Sequence, residues 1–245
     1  MKKYAAIIMA AGEGKRMNSP IPKTAHKVLG KPMINWVVEA ASDAGAQEIV
    51  TVIGFKGQEL KELLGDDCCR FAWQHEMKGT GHATMMAMPE VPADVTDVIV
   101  LCGDNPLITA GTLRDMMAVH QADNNGVTVL TAEVPDATGL GRVVRNADGT
   151  FKEIREHKDA TPEILEIREI NASVYCFDRA SLDRALPLIT NDNAQKEYYL
   201  PDALKIIMGF GGKVGIFKCA DYTETLGINT PEQLATAESI MSNRK

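Results

Sequence analysis

Apolar residues follow two rhythms along the first half of this chain. Short continuous runs at 4–9 (YAAIIM), 48–53, 70–73, 98–101 and 127–132 are too brief for helices and read as buried strands. Between them, at 34–44, 58–64, 81–88 and 110–121, apolar positions recur every three or four residues, which predicts amphipathic helices, the first ending at Gly45. Strands alternating with helices of this length imply right-handed crossovers and a doubly wound, mostly parallel, Rossmann-like α/β sheet. Ligands of such sheets sit at the carboxyl ends of the strands.

From about Gly139 the rhythm changes. Segments 140–145 and 151–156, joined by Asn146-Ala147-Asp148-Gly149, predict a hairpin, and 167–177 a longer strand. Helices follow at 179–188 and 200–208, then a strand at 213–217 and an amphipathic final helix at 231–241. The second half is therefore a smaller α+β lobe. No Pro/Ser/Gly-rich linker separates it from the first, so residues 1–245 read as one domain: a first half (1–135), a lobe (136–230) and a C-terminal helix (231–245). No internal repeat, and in particular no hexapeptide array, is visible.

Composition narrows the function classes. With 45% hydrophobic and 24% charged residues the chain is ordinary for a globular protein. Against 33 Asp and Glu it carries only 26 Lys and Arg, a net charge of −7, which argues against a general nucleic-acid binder. Its five cysteines (68, 69, 102, 176, 219) show no CxxC spacing, and no charged-then-apolar leader precedes the first strand, so the expected compartment is a reducing cytoplasm. No apolar run approaches the roughly 20 residues that would cross a bilayer, so no membrane partner is expected.

An acidic protein can bind an anion only through a local cationic patch, and the stretch after the first strand supplies one. Ala10-Ala11-Gly12-Glu13-Gly14-Lys15-Arg16-Met17 ends at Pro22-Lys23. Glycines let backbone N–H groups approach a phosphate chain, and Lys15, Arg16 and Lys23 can neutralise it, which points to a nucleoside triphosphate. The dinucleotide fingerprint fails because Met17 stands where its third glycine belongs, and the P-loop fails because Arg16 follows Gly14-Lys15.

As a whole, this loop resembles the signature of the sugar-1-phosphate nucleotidylyltransferases, and within them the uridylyltransferase (pyrophosphorylase) domains that make UDP-N-acetylglucosamine. The resemblance runs from Tyr4 to about Glu238, with its motifs in order, and implies the nucleotide-diphospho-sugar transferase fold. It further implies that Ala10, Ala11, Gly12, Gly14 and Lys15 cradle the nucleotide, and that Arg16 and Lys23 are the catalytic cations. Leu101-Cys102-Gly103-Asp104 and Gly227-Ile228-Asn229 match the family's metal positions, so Asp104 and Asn229 are the implied Mg²⁺ ligands. Taken singly, Asp104 could as well shape a turn and Asn229 cap the last helix.

Trp73-Gln74-His75-Glu76-Met77-Lys78-Gly79-Thr80 resembles the uracil-reading segment, implying Gln74 and Gly79 on the base edge with Thr80 nearby; Thr80 read by itself is a helix cap. On the sugar side the resemblance implies Gly141, Glu156, Asn171 and Tyr199. His82 and His157 read as packing or hydrogen-bonding residues. Cys102, Asn105 and Pro201 depart from the family pattern and put the sugar, more than the reaction, in question.

The implied function is Mg²⁺-dependent transfer of UMP from UTP to N-acetylglucosamine-1-phosphate, with those small molecules as partners. Alternatives are a different nucleoside triphosphate, glucose-1-phosphate as acceptor, or a non-catalytic regulatory module of the same shape. The intact cations and acids weigh against the last. A glycosyltransferase with a DxD metal motif is disfavoured because Asp104-Asn105-Pro106 lacks the second acid. The resemblance leaves open whether the domain works alone or within a longer chain.

Overall fold

The computed structural model describes residues 2–65 and 67–244. In chain order its elements are β1 (Tyr4–Met9), a hairpin of β2 (Lys27–Val28) and β3 (Lys31–Pro32), α1 (Met33–Asp43), β4 (Glu48–Ile53), α2 (Gly57–Leu64), β5 (Arg70–Trp73), α3 (Thr80–Ala87), β6 (Asp97–Cys102), α4 (Ala110–Ala122) and β7 (Val127–Glu133). The second half adds β8 (Arg142–Arg145), β9 (Phe151–Arg155), α5 (Pro162–Leu165), β10 (Glu169–Asp178), α6 (Arg179–Ala185), α7 (Asp202–Gly209), β11 (Val214–Lys218) and α8 (Pro231–Asn243).

Seven strands form the spine of one sheet in the order β11-β7-β10-β6-β1-β4-β5, with β8 pairing β10 and β9 pairing β8. β1 runs parallel to β4 and β6, β4 to β5, and β7 to β11. β10 runs antiparallel to both of its spine neighbours, β6 and β7. Sequence rhythm assigns this strand to the second lobe, yet it lies at the centre of the sheet. The reason is that both of its faces are apolar: Ile170, Val174 and Cys176 join one core cluster, while Tyr175 and Phe177 join the other.

β1 shows why the sheet is covered on both sides. Ala6 and Ile8 face Ile34 and Val37 of α1 and Leu113 of α4, whereas Ala5 and Ile7 face Ala83 and Ala87 of α3. Burying each such isoleucine contributes about 1.5–3 kcal/mol, so a strand that is apolar on both faces is held from both. A third cluster, of Val28, Met33, Leu107, Ile228 and Ala237, fastens α8 and the loop before it against the base of α1.

This order also fixes where a ligand can sit. From β1 the chain crosses to β4 and β5 on one side, then returns past β1 to form β6 on the other. The strand order therefore reverses between β1 and β6, which opens a crevice at their carboxyl ends.

Candidate active site

Two backbone hydrogen bonds and one glycine shape the loop that leaves β1. Ala10 N donates to Val52 O at 2.9 Å and Phe55 N to Ala11 O at 3.0 Å, which staple the start of the loop to β4. Gly14 then adopts φ +68°, a region costly for residues with a side chain, and a single turn at Lys15–Met17 buries Met17. A Cβ at Gly14 would lie 2.5 Å from Lys23 Cβ. Gly14 is thus the opening beneath which the Lys23 side chain passes. Gly12 has nothing within 4 Å of where its Cβ would be, so that stretch of loop is open to a ligand.

Lys23 reaches across the crevice to the end of β6. Its ammonium pairs with Asp104 Oδ2 and donates to Asn229 Oδ1 at 3.0 Å, with the Lys23 and Asp104 side chains only 14% and 19% exposed. Ile228 N donates to Asp104 O at 2.8 Å, and buried Ile228 anchors the segment that carries Asn229. Capping is not the role of Asn229, and Asp104, although it stands in the turn after β6, is not confined to shaping it. The cap of α8 is Thr230, whose hydroxyl accepts from Gln233 N, so the Asn229 amide is free for Lys23. The Asp104 carboxylate faces a cation.

A carboxylate and an amide oxygen converging on one cation, here an ammonium, form a hard-oxygen donor set suited to Mg²⁺. Among the described residues no group of three His, Cys, Asp or Glu side chains could hold a metal ion. The remaining ligands of an ion at Asp104 and Asn229 would therefore be substrate oxygens or water, as is usual for Mg²⁺ on a nucleotide.

The loop, Lys23 and Asp104 line a cleft of about 440 Å³ whose far wall is Gln74, Met77, Gly79, Thr80 and Ala83. Ala10, Ala11, Gly12 and Lys15 line it as well; Lys15 is 82% exposed and pairs with Glu13 at 3.3 Å. Arg16, on the exposed side of its turn, is not among the lining residues.

Gln74 is buried, and its Nε2 donates to Gly79 O at 3.1 Å and to His82 Nδ1 at 3.0 Å. Because the amide nitrogen is the donor, His82 must be the tautomer with its hydrogen on Nε2. Gly79 has φ +97°, and a Cβ there would meet Tyr198 O at 2.7 Å. This close approach lets Tyr198 N donate to Lys78 O and Gly81 N to Tyr198 O, both at 2.8 Å, so the segment 193–199 docks directly on 78–81. Thr80 caps nothing: α3 is capped by Gly79 without a side-chain bond, and Thr80 Oγ1 accepts from Leu200 N at 3.1 Å.

A second cavity, of about 160 Å³, adjoins the cleft and shares Met9, Thr80 and Glu197 with it; Glu156, Ser173, Tyr175, Gln195, Tyr199 and Pro201 complete its wall. Burial, with Asp159 and Asp202 nearby, raises the Glu156 carboxyl above its ordinary range. Tyr199 Oη accepts from Gln195 Nε2 at 2.7 Å. Gly141 is buried against Glu156 and accepts from Asn171 N at 2.9 Å. The Asn171 side chain is engaged internally: Nδ2 donates to Tyr175 Oη at 2.6 Å, and Oδ1 accepts from Ser173 N at 3.0 Å. Neither Gly141 nor Asn171 is among the cavity's lining residues.

Met9, Ser173, Tyr175 and Glu197 belong to these walls although sequence reasoning did not assign them a role, and Cys102, singled out there only as a departure from the family pattern, lines the cleft. Met9 could have been found, because like Cys102 it is the last residue of a strand flanking the crevice. Burial pushes the Cys102 thiol up to about 12, with Asp104 adding to the shift and Lys23 opposing it, so it stays a neutral wall residue. Of the other departures, Pro201 lines the second cavity, whereas Asn105 Nδ2 donates to Glu224 O at 2.9 Å and ties the end of β6 to the turn before α8.

Among the described residues no helix is long and apolar enough to cross a membrane. Comparison with known proteins matches residues 6–193 to the MobA-like NTP transferase domain family. The chain is 48% identical over 244 residues to the bifunctional protein GlmU of Heliobacterium modesticaldum and 46% identical over 244 residues to that of Geobacillus thermodenitrificans. In both cases all of this chain is covered but 53% of the relative, so the chain spans about half the length of the curated relatives it matches. A solved UDP-glucose pyrophosphorylase in complex with UDP-glucose superposes with a TM-score of 0.78 over the whole of both chains at 20% identity, which shows the shared fold.

Proposed function

Since the chain belongs to the MobA-like NTP transferase family, we propose that it transfers UMP from UTP to N-acetylglucosamine-1-phosphate, releasing pyrophosphate. The convergence of Lys23, Asp104 and Asn229 at the mouth of the cleft that Gln74 and Gly79 close carries this reading. The 46–48% identity to GlmU proteins over the whole chain supports the choice of sugar and nucleotide.

In the proposed reaction a phosphate oxygen of the sugar phosphate attacks the α-phosphorus of UTP in line. The bond from that phosphorus to the bridging oxygen breaks, and pyrophosphate leaves with the electron pair. No covalent nucleophile on the protein is needed, and the neutral Cys102 supplies none. The chain's contribution is positioning and charge, which dominate transfer at phosphorus. Lys23 lies where it can meet the α-phosphate. The open loop around Gly12 offers N–H groups to the phosphate chain, and Arg16 and Lys15 stand on its exposed rim to receive the departing pyrophosphate. Gln74 and the backbone at Gly79 read the base edge, with Thr80 beside them. Bound at Asp104 and Asn229, Mg²⁺ would neutralise phosphate charge. The second cavity takes the sugar, with Glu156 and Tyr199 on its wall and Gly141 and Asn171 supporting that wall.

On this reading residues 1–135 mainly hold the nucleotide, 136–230 mainly the sugar and, through Asn229, the metal, and the C-terminal helix steadies Asn229. Substrates of this kind place the enzyme in the cytoplasm, acting on small molecules and on neither nucleic acid nor membrane. The test is direct. Incubated with UTP, Mg²⁺ and N-acetylglucosamine-1-phosphate, the protein should yield UDP-N-acetylglucosamine and pyrophosphate by mass spectrometry. Absence of a UDP-sugar, or faster pyrophosphate release with another nucleoside triphosphate or with glucose-1-phosphate, would overturn the assignment.

A further inference from the structure

Among the described residues six non-glycine positions have positive φ, and five of them lie in turns or helix caps. The sixth, Ser173 at φ +57°, lies inside strand β10, at the irregularity where pairing with β7 breaks between Asn171 and Tyr175. Serine is not one of the residues that adopts this region readily; a left-handed backbone carrying an ordinary Cβ is strained, and glycine would relieve it. A strained residue in a bulge beside a cavity is a reason to look for function.

Its surroundings show what the strain achieves. Ser173 N donates to Asn171 Oδ1 at 3.0 Å, and its carbonyl faces the Cys102 thiol, with Sγ 3.7 Å away. Both backbone groups are thereby fixed, and the residue is turned onto the wall of the 160 Å³ cavity between Glu156 and Tyr175. Tyr175 Oη already accepts from Asn171 Nδ2 at 2.6 Å. Burial, together with the charge of Glu156, holds the phenol well above its ordinary range, so it stays protonated. Ser173 is only half-buried on this wall, so its hydroxyl is open to donate into the cavity.

We propose that Ser173 is a specificity-determining residue that donates a hydrogen bond to an acceptor oxygen of the sugar, with Asn171 and Tyr175 as positioning residues behind it. This rests on the transferase reading, which assigns the sugar to this cavity. It differs from that reading in the residue that meets the ligand: the Asn171 amide is engaged behind the wall, and its effect reaches the sugar through Ser173.

The strain gives the test two readouts that should move independently. Ser173→Gly relieves the backbone, so its melting temperature should equal or exceed that of the wild type, while loss of the hydroxyl should weaken UDP-N-acetylglucosamine binding about tenfold, the cost of one hydrogen bond to a ligand. UDP binding should be unchanged. Ser173→Ala, which keeps the Cβ, should show the same selective loss without the gain in stability. Calorimetric titration of wild type and both variants with UDP-N-acetylglucosamine and with UDP measures this. Variants that bind the UDP-sugar as tightly as the wild type, or that lose UDP binding equally together with stability, overturn the role of Ser173. A wild-type protein that binds the UDP-sugar no better than UDP overturns the sugar-site reading itself, and this proposal with it.

Discussion

The Lys23 ammonium and the Asn229 amide meet at 3.0 Å, although 206 positions separate them in the chain. Asp104 completes the contact from the end of β6. The Lys23 ammonium therefore sits on the same oxygens that would hold a divalent ion, so on the proposed reading this side chain would compete with the metal as well as meet the α-phosphate.

Replacing that lysine should separate the two roles. Lys23→Met is expected to lower kcat by about 10²–10³, the usual consequence of removing one preorganised charge from a transition state. The same change leaves Asp104 without its cation, so Mn²⁺ titrated in the absence of nucleotide should bind more tightly to the variant than to the wild type. Metal binding that is unchanged or weaker in the variant would show that Lys23 does not occupy the metal's place.

Gly14→Ala tests the path of the lysine. At φ +68° an alanine costs about 1–2 kcal/mol, and its Cβ would collide with Lys23 Cβ at 2.5 Å. The variant should melt a few degrees lower and show a raised KM for UTP, because the loop can relieve the clash only by moving Lys23 off Asp104. Gly12→Ala, where a Cβ meets no neighbour within 4 Å, should leave the unfolding free energy within about 0.5 kcal/mol of wild type and act only through the ligand.

Much of this site was legible in the sequence, and its gaps have physical causes. The loop could be read because it directly follows an unmistakable apolar strand, whereas the roles of Asp104 and Gln74 came from the family resemblance, with which their places just after β6 and β5 agree. Asn229 was legible as a residue but not as a partner of Lys23, since periodicity says nothing about which distant segments meet. The position of β10 in the sheet was hidden for the same reason: an apolar run shows that a strand is buried, not between which neighbours. Ser173 left no signal, because a left-handed serine has the same letter as an extended one. Its strain belongs to the bulge, which exists only once β10 pairs with β7.

At the other end of β6, Asp97 and His120 are both buried, with Asp97 Oδ1 and His120 Nε2 3.5 Å apart. Burial alone would raise the Asp97 carboxyl, but the neighbouring His120, the hydrogen bond from Thr96 and the charge of Lys2 more than offset it, so it titrates below its ordinary value. A carboxyl depressed in the folded state adds stability that is complete above its unfolded pKa of about 3.9 and is lost as pH falls through the lower, folded value. Asp97→Asn should therefore be less stable than wild type at pH 7, by about 1–3 kcal/mol for a disrupted buried bond, and the gap should narrow as pH drops below about 4. Urea unfolding at pH 7, 5 and 3 measures it; a gap that widens on acidification would contradict the sign. Because this pair lies at the far end of the strand from Asp104, kcat at pH 7 should stay within about twofold of wild type.

Neighbouring residues at the start of α8 make the sharpest separation of stability from catalysis. Thr230 accepts from Gln233 N and caps the helix, whereas the Asn229 side chain reaches Lys23 in the cleft. Thr230→Ala should cost about 1 kcal/mol, the usual value of a lost N-cap, and lower the melting temperature while kcat stays close to wild type. Asn229→Ala should do the reverse: a small change in melting temperature and a fall in kcat of about 10²-fold or more, with a higher Mg²⁺ concentration needed for half-maximal rate. Buried Ile228, hydrogen-bonded to Asp104 O, holds the loop in place in both variants, so neither effect should spread to the other. If Thr230→Ala lost activity as severely as Asn229→Ala, the fray of α8 would be carrying Asn229 away from the cleft, and the site would depend on the helix cap as well as on its own ligands.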